Sequence, residues 1–144
     1  MRVFVLVMTI LCSAGPACAE TDIAMTCYTA CEKSTNSNPE YKACLARAAD
    51  KADRALNESY KALQAAVRDG AKAMGQKPDI QLGALTTAQK AWISYRDANC
   101  TFEDELAFGG TAIGGYSSAC ICALSYQRIG DFERVRKRML FNGD

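Results

Sequence analysis

Apolar positions recur every three or four residues along most of the chain, the spacing that gathers them on one face of a helix. Between Pro39 and Asp69 they fall at Tyr41, Leu45, Ala48, Ala52, Leu56, Tyr60, Leu63 and Val67, which predicts one long helix. Asn38-Pro39-Glu40 reads as its start, with Asn as the cap, Pro in the first position and Glu in the first turn. A second series, Leu85, Ala88, Trp92, Tyr95, Asn99, Phe102 and Leu106, predicts a helix from about Thr86 to Phe108. A third series, Ile121, Leu124, Arg128, Phe132, Val135 and Met139, predicts one from about Tyr116 to Leu140. Asp22 to Lys33 is a shorter helical stretch. Polar or glycine-rich breakers separate these runs at 34–38 (STNSN), 75–79 (GQKPD) and 109–115 (GGTAIGG). No alternating strand pattern follows the N-terminal segment. The predicted fold class is all-α, a small antiparallel helical bundle of three to four helices with short connections.

The N-terminal segment follows a different rule. Arg2 precedes the apolar run Val3–Cys12 (VFVLVMTILC), and Ala17-Cys18-Ala19 forms a small-x-small site before Glu20. This is the pattern of a cleaved secretory signal peptide over residues 1–19. The run is shorter than the roughly 20 residues a permanent bilayer span requires. The expected product is one domain, residues 20–144, exported to the periplasm or secreted, with no transmembrane segment after processing.

Composition narrows the chemistry. The chain carries 17 Lys+Arg against 16 Asp+Glu and no histidine. The near-zero charge offers no global field for phosphate, so nucleic acid is not an expected partner. Without histidine, the Ser-His-Asp and Cys-His arrangements and the commonest zinc ligand are all missing. No enzyme activity, metal or cofactor is expected. Beyond the leader stand Cys27, Cys31, Cys44, Cys100, Cys120 and Cys122, an even set in an oxidising compartment, which predicts disulfides. A thiol oxidoreductase using Cys120 and Cys122 is the redox alternative.

The stretch Ala88–Cys100 (AQKAWISYRDANC) resembles the signature of the LprI-type lysozyme-inhibitor family, whose pattern is Gln-x-x-Trp-x-x-x-Arg-Asp-x-x-Cys. Here those positions are Gln89, Trp92, Arg96, Asp97 and Cys100. Asp53-x-x-Leu56-Asn57-x-x-Tyr60 resembles the family's preceding helix, and Arg128 follows Cys120 as the pattern requires. The resemblance covers about Cys27 to Arg134. It implies a small exported helical protein that binds a lysozyme and blocks its substrate cleft, whose chemistry rests on two carboxyl groups. A non-catalytic envelope or stress module on the same scaffold is the alternative.

Spacing alone does not choose among the pairings of six cysteines. The resemblance, taken with helical geometry, implies Cys27–Cys44, Cys100–Cys120 and a third bridge, Cys31–Cys122. Trp92, Arg96, Cys100 and Glu103 share a helix face. Trp92 is expected in the core with Tyr95, Leu56 and Tyr60. Asp53 is the expected partner of Arg96 or Arg128, with Asp97 as the other carboxylate near these cations. For partner contact, two stretches stand out. Glu103-Asp104-Glu105 forms an acidic patch suited to a basic enzyme. Tyr116-Ser117-Ser118 ends a flexible glycine-rich loop with an aromatic and two hydroxyls. Arg134, Arg136, Lys137 and Arg138 make the end of the last helix basic, which complements its dipole and could meet anionic envelope components.

Overall fold

The computed structural model describes residues 27–141. The signal segment 1–19 and the start of the first helical stretch lie outside them. Four helices follow in order: α1 (27–32), α2 (Asn38–Ala73), α3 (Asp79–Glu105) and α4 (Gly115–Phe141). No strand occurs among the described residues. The fold is the all-α bundle that the hydrophobic periodicity predicts, and no described helix is long and apolar enough to cross a membrane.

The helix ends differ from expectation for local reasons. Ser37, not Asn38, caps α2: its hydroxyl accepts from the Glu40 amide, and the Glu40 carboxylate accepts in turn from the Asn36 amide at 3.1 Å. This reciprocal exchange resembles a capping box. α3 starts at Asp79, well before Thr86, because Pro78 suits a helix entry and Asp79 complements the N-terminal dipole. At its other end α3 stops at Glu105. Residues 106–108 then tighten into successive short turns, Leu106 to Glu103, Ala107 to Asp104 and Phe108 to Glu105.

α2 and α4 run parallel. A Cβ on Gly115 would touch Lys42 and Leu45, and one on Gly70 would touch Met139. α3 runs antiparallel to both, crossing α2 through Tyr60–Thr86 and Asp53–Arg96. Leu56, Leu63 and Phe132 form the main core, with Tyr60, Val67, Leu85, Trp92, Ile129, Val135 and Met139 packed around them. On α3 the buried residues are Gln89, Arg96 and Cys100. The stripe expected to include Tyr95, Phe102 and Leu106 is therefore rotated. Tyr95 is 57% exposed and does not join Trp92 in the core. The face defined by Trp92, Arg96 and Cys100 points inward instead.

Three disulfides staple the bundle. Cys100 pairs with Cys120 across the α3–α4 connection, as expected. The other two exchange partners: Cys31 pairs with Cys44 and Cys27 with Cys122, correcting the expected Cys27–Cys44 and Cys31–Cys122. The reason is register. Cys31 packs at the level of Tyr41, Leu45 and Ala119, whereas Cys27 lies one helical turn away, beside Ala48, Ala52 and Tyr126. At that level the facing cysteine belongs to α4. Cys120 and Cys122 are thus buried in separate bridges, to α3 and to α1, and do not form the redox pair of the oxidoreductase alternative.

Candidate functional site

The signature residues assemble into one internal seam between the helices. Arg96, buried on α3, donates from Nη1 to Asp53 Oδ1 at 2.8 Å and to the Ser125 hydroxyl at 3.3 Å. Its Nε donates to Asp97 Oδ1 at 2.9 Å. The partner of Asp53 is thus Arg96, and the second Asp53 oxygen accepts from Asn57 at 3.2 Å. Burial disfavours the Arg96 charge, but its two carboxylate partners outweigh that and hold its pKa above the ordinary value. Arg128 takes a different place. Its Nε donates to the buried Gln89 at 3.2 Å, its Nη1 meets Asp131, and its guanidinium lies over Phe132 at 4.8 Å. Both guanidiniums sit in cation–π range of Trp92, Arg96 at 5.4 Å and Arg128 at 5.6 Å.

Tyr60 closes the seam, its hydroxyl 3.1 Å from Thr86 and its ring against Phe132, while Leu56 lies in the core beneath. Among the described residues no buried side-chain polar atom lacks a partner. The signature groups are therefore already engaged with one another across the helices.

The residues expected to meet a partner cluster at the opposite end of α3 from its Pro78 entry. They divide by role. Asp104 caps α4: its carboxylate accepts the Gly114 amide at 2.7 and 3.0 Å and the Ser117 amide at 3.2 Å, satisfying donors that helix geometry leaves open. Ser118 donates back to the Gly114 carbonyl. Glu103 accepts from Asn99. Glu105 and Tyr116 remain exposed, and Ser117 is half-buried.

The connection 106–114 is anchored at several points. Asn38 donates to the Thr111 carbonyl at 3.1 Å and Lys42 to that of Ile113 at 3.2 Å, so two α2 side chains grip it from below. Asp104 and the Cys100–Cys120 bridge hold its two feet. Tyr28 and Tyr41 pack nearby, around Cys31 and Leu45. Burial, then the Glu103 charge, raises the Tyr28 hydroxyl pKa; burial, then Glu32, raises that of Tyr41.

At the tip stands Phe108, which the sequence assigns to the last position of a helix. It is 90% exposed, and its φ of 47° lies in the left-handed region that bulky residues rarely occupy. Gly109 follows at φ 78°. Phe102 and Leu106 before it and Ile113 after it in the chain are exposed apolar side chains as well. The only prior signal for this tip is an aromatic set directly before Gly109-Gly110.

A disulfide-stapled bundle of four described helices, with this internal seam and an anchored loop, defines a class of small helical protein. The family model described as "Lysozyme inhibitor LprI" matches residues 29–132, most of the chain, and the protein belongs to that family. It is also similar to Uncharacterized protein R02472 of Rhizobium meliloti (strain 1021), at 32% identity over 87 residues. That match covers 58% of this chain and 63% of the relative, so it spans less than two thirds of the relative's length. No solved structure matches. Family and disulfides together fit an exported protein.

Proposed function

We propose that this protein inhibits a lysozyme-type muramidase by lodging the 106–114 loop in the enzyme's substrate cleft. What carries the reading is Phe108: a large aromatic side chain almost wholly in solvent, on a loop tethered at both feet and from below. An inhibitor gains affinity when its contact loop is already in the bound shape, since less ordering cost remains at association. Exposed aromatics dominate such interfaces once a pocket desolvates them. Glu105 and Tyr116 flank the tip, and with Glu103 they give the approach an acidic edge that suits a basic enzyme. Asp104, Ser117 and Ser118 serve the loop by shaping it.

The test is turbidimetric lysis of cell walls by a c-type lysozyme with oxidised protein, a reduced and alkylated control, and the Phe108→Gly variant. Oxidised protein protects the walls in a dose-dependent way, and reduction abolishes the protection. Phe108→Gly raises the half-inhibitory concentration about 30-fold, the scale of an aromatic anchor worth about 2 kcal/mol. Protection indifferent to Phe108→Gly would move the contact off this loop. No protection and no binding would point to a different protein target in the envelope.

A further inference from the structure

The far end of the bundle carries a second exposed feature that the inhibitory reading does not use. Around the α2–α3 turn, Met74 is 69% and Ile80 84% exposed, and Leu140 in the last turn of α4 is 76% exposed. They sit at one end of the molecule: Gly70 of α2 lies against Met139 of α4, and the short turn after Ala73 leads straight into α3 at Asp79. Met74 lies about one helical turn beyond Gly70, Ile80 stands in the first turn of α3, and Leu140 is next to Met139. Arg136, Lys137 and Arg138 surround the same α4 turn. None of these three is in an ion pair among the described residues. At about 100° per residue they point to different sides of α4, so they form a collar round the helix end. Lys72 and Lys77 add charge from the turn, while Asp69 and Asp79 oppose it. Asp131 is already held by Arg128 and Arg134.

We propose that this end is a docking surface for an anionic lipid bilayer, with the bundle standing end-on. Charge complementarity selects a negative partner, and the apolar tips select a bilayer among negative partners. A soluble polyanion would satisfy the cations and leave Met74, Ile80 and Leu140 in water. The interface of a bilayer takes both, burying the apolar side chains at the headgroup boundary while cations meet lipid charge.

The experiment measures co-sedimentation of the purified, disulfide-bonded protein with vesicles, every sample having the same N-terminus. Vesicles of phosphatidylcholine with phosphatidylglycerol are compared with phosphatidylcholine alone. Binding requires the anionic lipid and weakens as salt rises. The variant R136Q/K137Q/R138Q lowers partitioning about 100-fold, at about fivefold per cation removed. The variant M74S/I80S/L140S lowers it about tenfold or more through lost apolar burial. Both remain folded, with cooperative thermal unfolding that falls only slightly in the cation variant through the lost helix-end charges, and both retain lysozyme inhibition, which separates this surface from the loop at the other end. Equal binding to uncharged vesicles, or none to anionic ones, would overturn the proposal. So would an apolar variant that binds like wild type, or dextran sulfate retaining the protein as well as vesicles do, since either would leave a simple polyanion site.

Discussion

Phe108 occupies a backbone region in which a Cβ crowds the following carbonyl, at a cost of about 1–2 kcal/mol for a non-glycine residue. The fold tolerates this because the loop is fixed on either side. Phe108→Gly is therefore expected to raise stability in urea unfolding, by up to about 1 kcal/mol, while weakening inhibition. A substitution that lowers both would mean the ring supports the fold. Arg96 is the opposite case, a residue whose contacts are all internal. Arg96→Met leaves Asp53 and Asp97 half-exposed and able to regain water, so the loss is about 2 kcal/mol, read as a lower urea midpoint at unchanged slope. Asp53→Asn costs less, about 1 kcal/mol, because Asp97 still holds the guanidinium. An unchanged midpoint in Arg96→Met would show that the seam is not structural. Tyr28 and Tyr41 set an alkaline limit. Their folded pKa values are raised above 10.0, so the folded state keeps its phenolic protons when the unfolded chain has begun to lose them. Their contribution is intact below about pH 10 and falls away as pH rises through the folded values. Tyr28→Phe with Tyr41→Phe should flatten that decline in a pH series of thermal melts.

At the scale of elements, periodicity was a sound guide to where helices lie and a weaker one to which face is buried. α2 obeys it closely, since Leu45, Ala52, Leu56 and Leu63 are all buried. α3 does not, because its inward face is built from Gln89, Arg96 and Cys100, and hydrophobicity does not register polar groups that satisfy each other. The signature motif exposed this face where the apolar stripe missed it. Disulfide partners depended on a quantity absent from spacing, the one-turn offset of α1 along α2. The loop tip was hidden for a different reason: the predicted helix ran on to Phe108, and only the tightened turns after Glu105 take that residue out of it. The bridges also predict a ranking. Cys27–Cys122 closes a sequence separation of 95 and Cys31–Cys44 one of 13. On loop-closure entropy the first contributes about 4–5 kcal/mol and the second about 3. Replacing Cys27 and Cys122 by alanine should therefore lower stability more than replacing Cys31 and Cys44. The reverse order in chemical denaturation would show that α1 contributes little beyond its local hairpin.

For the molecule as a whole, parallel α2 and α4 with α3 running back between their ends give two poles of different character. One carries the anchored loop and the acidic residues of α3, and the other carries the α2–α3 turn and the basic end of α4. Charge that nearly cancels in the total, 17 Lys+Arg against 16 Asp+Glu, is thus separated along the long axis. α3 alone, with 27 residues, spans about 40 Å between these poles. Such a rod acts as a spacer. Planted on a membrane by its basic foot, it would carry Phe108 about 40 Å above the lipid, several Debye lengths from its surface charge. A basic protein drawn toward that membrane would meet the Phe108 loop before it reached the bilayer.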